Sequence, residues 1–343
     1  MITIIIAGGS GTRLWPISTP QYPKHLLKIN SDNLSLLQQT YARAKQLGDK
    51  IYVVSEEGHI KHVKDQLKEL SSEAFISEPS RRGTANCIIA ALIHIKDSID
   101  LNEPIAILSA DHYIRDLDGF AHTFKVAGKI SSKYKQIALI GIEPNYPATG
   151  FGYIKKDKLL SSEQLAYSVH SFKEKPDFET AKKYLKSGDY LWNCGYFVAS
   201  FNTFIKEMKE YSKELYCNYQ KLLESKDNFN ESYLKLSNQT IDYGLIEKVK
   251  DLLVVPASFD WLDLGSYADL HRAVDNDELG NHIKGENIET FEIENSFIQN
   301  FESKPLIAIG LDNIVVVNTA HGILVTRKDL SQKVGEISKR INR

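Results

Sequence analysis

Near the start of the chain, three glycines and two cations stand at a spacing that suits a polyphosphate: Gly8, Gly9 and Gly11, then Arg13, then Lys24. Glycines admit backbone conformations closed to other residues. They let successive N–H groups approach a ligand and form an anion-binding concavity. The cradle would run through Ala7, Gly8, Gly9, Ser10, Gly11 and Thr12, with Arg13 and Lys24 as fixed positive charges. Three better-known glycine loops do not fit. A Walker loop needs a Lys-Ser/Thr pair after its second glycine. A dinucleotide fingerprint needs a third glycine opening a helix, where this chain has Leu14 and then Pro16. A kinase glycine loop lies in a hairpin. A plain turn is the alternative, but it has no use for three glycines, an arginine and a lysine together.

Other chemistry-bearing residues are scattered. Asp111 follows the apolar run Ile105–Ser109, and Asp263 stands in Trp261-Leu262-Asp263-Leu264-Gly265. Each could instead cap the next element, a frequent role of Asp. Glu174 and Lys175 precede Pro176 and read either as ligand contacts or as a solvated charged turn. Asn193 beside Trp192 is either a ligand amide or a buried structural one. Glu78, Arg82 and Thr84 lie between a strand and a helix, where Thr84 could equally be the helix cap.

The elements that must position these residues are legible as periodicity. Met1–Ala7, Ile51–Val54, Ala74–Ser77, Ile105–Ser109 and Ile137–Ile142 are short apolar runs of the kind found in buried parallel strands. Amphipathic or apolar helical segments separate them, Thr84–Ile95 being almost wholly apolar. The alternation predicts a Rossmann-like, doubly wound α/β fold with a mostly parallel sheet, whose ligands gather beyond the carboxyl ends of the strands. After Leu270 the chain turns rich in Ile and Val with strand-like alternation, so a catalytic domain over 1–270 and a small β-rich module over 271–343 are expected.

Composition is that of a globular protein: 343 residues, 42% hydrophobic and 25% charged. With 42 basic and 44 acidic residues the net charge is −2, which argues against duplex nucleic acid as the main partner. Three widely spaced cysteines form neither a disulfide framework nor a zinc pattern and suit a reducing cytoplasm. The first apolar run is cut by Gly8 and lacks a basic flank, unlike a signal peptide, and no run reaches the ~20 residues of a membrane span.

Taken in order, AGGSGTRLWPIS with YPKHLL, SEPSRRGTA, LSADHYI, TGFGYI, FKEKPD, WNCGYFV, TIDYGLIEK and FDWLDLGS run from the glycine loop to Ser266. The set resembles the sugar-phosphate nucleotidyltransferases, and most closely the mannose-1-phosphate guanylyltransferases. Trp15 and Trp192-Asn193 look like the guanylyl-mannose branch. The chain departs from the family at His25, where Gln is usual, at Gly83, where Asn is usual, and at Cys194, where Ser is usual.

The resemblance implies a GT-A-like fold with a β-helix-like C-terminal piece. It implies transfer of GMP from GTP to mannose 1-phosphate, giving GDP-mannose and pyrophosphate, with no need of a general base. Arg13 and Lys24 would bind the phosphates, and Glu78, Arg82 and Thr84 would face base or ribose. Asp111 and Asp263 would hold Mg²⁺ between the reacting phosphates. Gly150, Glu174, Lys175 and Asn193 would bind the sugar phosphate, while Asp242 and Glu247 recur in the motif as scaffold or substrate contacts. No nucleic acid or membrane partner is expected, and a homodimer is. Transfer to another sugar phosphate, and a non-catalytic sugar-nucleotide-binding subunit, are the competing readings.

Overall fold

The computed structural model describes residues 1–9, 11–29, 33–162 and 165–341. The short β-branched and apolar runs form strands: β1 (Ile2–Ala7), β2 (Ile51–Glu56), β3 (Phe75–Glu78), β4 (Pro104–Ser109), the two-residue β5 (His112–Tyr113), β6 (Ala138–Ile142), β7 (Gly152–Ser161), β8 (Ala166–Lys173), β9 (Tyr190–Ser200), β10 (Leu253–Pro256) and the two-residue β11 (Leu262–Asp263). The chain gathers into two compact units that do not follow chain order.

The first unit comprises Met1–Ala7, Thr40–Ser109 and Ile114–Asp260. Its sheet has the order β3-β2-β1-β4-β9-β6-β10-β8-β7. β1 pairs in parallel with β2 and with β4, Ile4 lying opposite Tyr52 and Ile107. Only β9 and β8 run against the other strands of this sheet. The expected mostly parallel α/β sheet is therefore present, with β9 inserted antiparallel between β4 and β6. The helix Gly83–Ile95 reads as apolar on nearly every side because it is covered on more than one: Ile88, Ile89, Leu92 and Ile95 share a core with sheet residues Ile4 and Val54 and with Leu215 and Leu222 of the helix Lys213–Glu224. Each such fully buried Ile or Leu contributes roughly 2 kcal/mol relative to exposure.

The second unit comprises Gly8–Gln39, Ala110–Tyr113 and Trp261–Arg343. Strands 282–285, 297–300 and 314–319 stack in parallel, with 322–327 added antiparallel, while 288–294 pairs in parallel with 306–312. Parallel strands recurring every coil give the β-helix-like module. One face of it, Phe297, Val315 and Val317, shares a core with Leu14, Tyr113, Leu264 and Tyr267. That apolar surface explains why the segments that leave the sheet after β1 and β4 group with the C-terminal residues rather than with the sheet. No helix among the described residues is long and apolar enough to cross a membrane.

Candidate functional site

The second unit carries the glycine loop. Gly9 has φ 96° and Gly11 φ 59°, and a Cβ at Gly11 would stand 2.5 Å from the backbone nitrogen of Lys24. Only glycine allows the loop to turn this closely past Lys24. Gly11 is followed by a turn of 3₁₀-helix, Thr12–Leu14, and the Ser18 hydroxyl donates to the Gly11 carbonyl. Ser10, expected in the cradle, lies outside the described residues. Ala7 is the last residue of β1, opposite Ser55.

Lys24 is buried, its side chain 8% exposed, and its Nζ stands 3.1 Å from Asp111 Oδ2 and 3.1 Å from Asp263 Oδ1. The two acids, 152 residues apart in sequence, meet because β5 and β11 pair antiparallel with His112 opposite Asp263. Burial alone would lower the Lys24 pKa and raise those of the acids. The mutual attraction overrides it: Lys24 is held above its ordinary value, and Asp111 and Asp263 are held below theirs. His112 and His25 add to the pull on Asp111. His112 also lies edge-on to Trp261. His25, a departure from the family pattern, is buried.

Arg13 is exposed, with its guanidinium beside Gly265, where a Cβ would fall 3.1 Å from Nη1. It also helps to lower the Asp263 pKa. Its stem lies against Gly335 of the C-terminal helix Val334–Ile341, leaving no room for a side chain there. From the same helix the Ser338 hydroxyl donates to the Thr12 carbonyl at 2.9 Å. The Tyr267 hydroxyl donates toward the Leu14 and Trp15 carbonyls at 2.9 and 3.1 Å. Sequence reasoning missed Tyr267, Gly335 and Ser338, because a polar terminal helix and a lone tyrosine carry no sign of what they brace.

The first unit holds a second cluster. Glu174 is buried, with Oε1 3.2 Å from the exposed Lys175 Nζ and Oε2 without a partner among the described residues. Lys175 takes φ 44° before Pro176, a strained conformation of the kind found at ligand sites. Asn193 faces Gly152 across the β7–β9 pairing. A Cβ at Gly152 would fall 2.5 Å from Glu174 Oε2 and 3.2 Å from the Asn193 Cβ, so this glycine makes the room in which the carboxylate sits. Gly150, the glycine the motif singles out, has open space around it. Asn193 Nδ2 donates to Asp242 Oδ1 at 2.8 Å. Burial raises the pKa of both Glu174 and Asp242.

Glu78, Arg82 and Thr84 also lie in the first unit and engage its own chain. Glu78 accepts from the Tyr233 hydroxyl at 2.6 Å and the Arg82 N–H at 3.2 Å. Arg82 donates through Nη2 to the Leu234 carbonyl at 2.8 Å. Thr84 does not cap its helix; its Oγ1 accepts from the Ile241 N–H at 2.9 Å. Gly83, the other departure near this segment, has φ 82°, and a Cβ there would stand 2.1 Å from the Gln239 carbonyl oxygen. A glycine is required by that packing.

A model of the nucleotidyl transferase family matches residues 2–279. The chain is 36% identical to a mannose-1-phosphate guanylyltransferase of Salmonella montevideo, over 99% of this chain and 74% of that protein. It is 33% identical to one of Escherichia coli, over 100% and 76%. A solved structure described as mannose-1-phosphate geranyltransferase, from Thermus thermophilus, superposes with a TM-score of 0.88 at 25% identity, covering 100% of this chain and 99% of that one. A UDP-glucose pyrophosphorylase bound to UDP-glucose shares the fold, with a TM-score of 0.51 at 20% identity over 80% and 97%.

Proposed function

The chain belongs to the nucleotidyl transferase family, and from that premise we propose that it transfers GMP from GTP to mannose 1-phosphate, releasing pyrophosphate and forming GDP-mannose. The observation that carries the reading is the Lys24 ammonium gripped by Asp111 and Asp263 in the unit that also holds the glycine loop. The names of the two bacterial relatives supply the substrates.

The chemistry fits the residues. The nucleophile is a phosphate oxygen of the sugar phosphate, already anionic, which attacks the α-phosphorus of GTP as the bond to pyrophosphate breaks. The barrier is the approach of two anions, about 4 kcal/mol for each unit-charge pair at 4 Å and an effective dielectric near 20. Arg13 offers a planar fork to the β- and γ-phosphates and steadies the departing pyrophosphate. The turn through Gly9 and Gly11 presents backbone N–H groups to the same phosphates. Glu174, Lys175, Asn193 and the Gly150 backbone take the sugar phosphate, and Glu78, Arg82 and Thr84 shape the region assigned to base and ribose.

Asp111 and Asp263 fit a divalent cation. Their oxygens converge on one point of positive charge and so lie within about 6 Å of each other. Their side chains keep 31% and 21% exposure, so solvent reaches them. Mg²⁺ commonly takes one or two carboxylates together with phosphate oxygens. Held there, it would supply positive charge to the reacting phosphates. Lys24, the buried cation between the two acids, is the group assigned to the α-phosphate. Residues 1–270 carry the reaction in this reading, with 271–343 as the supporting module. A homodimer and a cytoplasmic setting, which would keep the three free cysteines reduced, belong to the same proposal.

The test is pyrophosphate release by the purified protein with Mg²⁺, across GTP, ATP, UTP and CTP and a panel of hexose 1-phosphates. GTP with mannose 1-phosphate should be the preferred pair. Silence with that pair while another reacts overturns the specificity, and silence with all pairs overturns catalysis.

A further inference from the structure

We propose that Asp242 is a positioning residue that locks the Asn193 amide, so that one N–H of Asn193 and the buried, partnerless oxygen of Glu174 together receive a hydroxyl of the sugar phosphate. The inference deepens the assignment of this cluster to the sugar and rests on it.

A primary amide has two N–H donors and one carbonyl. Asn193 Oδ1 accepts the Gly195 N–H at 3.1 Å, and one Nδ2 hydrogen goes to Asp242 Oδ1 at 2.8 Å. Reversing the amide would set its oxygen against the Asp242 carboxylate and its NH₂ against the Gly195 N–H, two repulsive contacts in a buried place. The amide therefore has one orientation, with one N–H left to give. Glu174 Oε2, buried and without a partner among the described residues, supplies an acceptor over Gly152, the residue paired with Asn193. A hydroxyl is at once donor and acceptor, so this pair matches one hydroxyl or two vicinal ones.

Asp242 is itself held by several contacts. It opens a turn of π-helix, Asp242–Ile246, a feature frequent at functional sites. The residues before it are pinned to the start of the helix Gly83–Ile95. Thr84 Oγ1 accepts from the Ile241 N–H, the Gln239 carbonyl accepts from the Ala85 N–H at 3.1 Å, and Gly83 leaves room for that carbonyl. The motif residues Gly83 and Thr84 thus reach the sugar through Asp242 and Asn193.

The experiment measures kcat and both KM values in the full-length protein for Asp242→Ala, Asp242→Asn, Asn193→Ala and the double alanine variant. Asp242→Ala should raise the KM for mannose 1-phosphate about tenfold, with the KM for GTP unchanged within twofold. Asp242→Asn keeps an acceptor and should recover most of the loss. The double variant should be no worse than Asn193→Ala, because both residues act through one contact. The proposal is overturned by an unchanged KM for mannose 1-phosphate in Asp242→Ala, by a parallel rise of both KM values, by full additivity, or by an Asn variant as impaired as Ala. If Asp242→Ala does not fold, Asp242→Ser, too short to reach Asn193, takes its place. Calorimetric binding of mannose 1-phosphate to the same set separates this inference from the functional reading: if the wild type binds and releases no pyrophosphate, the reaction fails and the comparison among variants still decides Asp242.

Discussion

Two carboxylate pairs among the described residues, Asp111 with Asp263 and Glu174 with Asp242, each lie near a lysine and are treated oppositely. In the second unit Asp111 and Asp263 share a buried ammonium, and its charge holds both below the usual carboxylate range despite burial. In the first unit burial wins. It pushes Glu174 and Asp242 up, with Asp242 adding to the rise at Glu174, and the exposed Lys175 offsets only part of it. The first pair stays ionised because the Lys24 charge lies between its members, the state that the proposed phosphates and cation would need. The second keeps polar oxygens in a partly dry place, where hydrogen bonds to neutral hydroxyls count for more. The partner of a carboxylate, more than its presence, assigns its chemistry.

The largest effect should come from breaking the first pair. Asp111→Asn and Asp263→Asn each leave Lys24 with a single carboxylate and remove one of the two acids proposed to hold the cation. We expect turnover to fall on the order of 10²–10³-fold or more, the scale for removing one charge-stabilising group, with the circular dichroism spectrum retained. Near-normal pyrophosphate release in both variants would remove the acids from the reaction and erase the distinction between the clusters.

A smaller effect tests the second pair through pH. The Glu174 pKa is raised in the folded state from about 4.5, so the folded chain holds that proton more tightly than the unfolded one. Its contribution to stability is complete below that ordinary value and is lost as pH rises through the raised pKa. At pH 7.5 the ionised group therefore weighs against folding. Glu174→Gln should raise the melting temperature by ~1–2 °C there, and the gain should shrink as pH falls toward 4.5. Asp263 has the opposite sign: its stabilising contribution is present above its ordinary value near 3.8 and fades as pH falls further. A melting temperature for Glu174→Gln that drops at pH 7.5 would show that the pair with Lys175 outweighs burial.

The glycine loop was legible in sequence from residue types and spacing, and the first pair through the resemblance of LSADHYI and FDWLDLGS to family motifs. The parallel strands β1 to β4 were legible too, because buried strands are continuous apolar runs. What joins the acids was not, because the β5–β11 pairing spans four residues with no periodicity to detect. The antiparallel insertion of β9 was equally hidden, because an apolar run does not state its direction. Glu78, Arg82 and Thr84 stand between a strand and a helix, where base or ribose contact, or for Thr84 a helix cap, is the local expectation. Their polar groups meet Tyr233, Leu234 and Ile241, partners about 150 residues distant that a local pattern cannot reveal. Gly152 outranks Gly150 in steric need because Glu174, Phe172 and Asn193 all crowd it.

The smallest expected effect lies at the brace of the glycine loop. Ser338 belongs to the terminal helix, touches no proposed substrate, and gives its hydroxyl to the Thr12 carbonyl and more weakly to Gly335. Its loss costs about 1 kcal/mol, the net value of one such hydrogen bond, and that loss falls on the loop rather than on the carboxylates. Ser338→Ala should therefore raise the KM for GTP about two- to threefold while leaving the KM for mannose 1-phosphate and the pH dependence of melting unchanged. The selectivity matters more than the size. A brace confined to the second unit weakens the nucleotide side alone, whereas an equal rise in both KM values would mean that loop and sugar cluster respond as one body and that the two carboxylate pairs cannot be tuned separately.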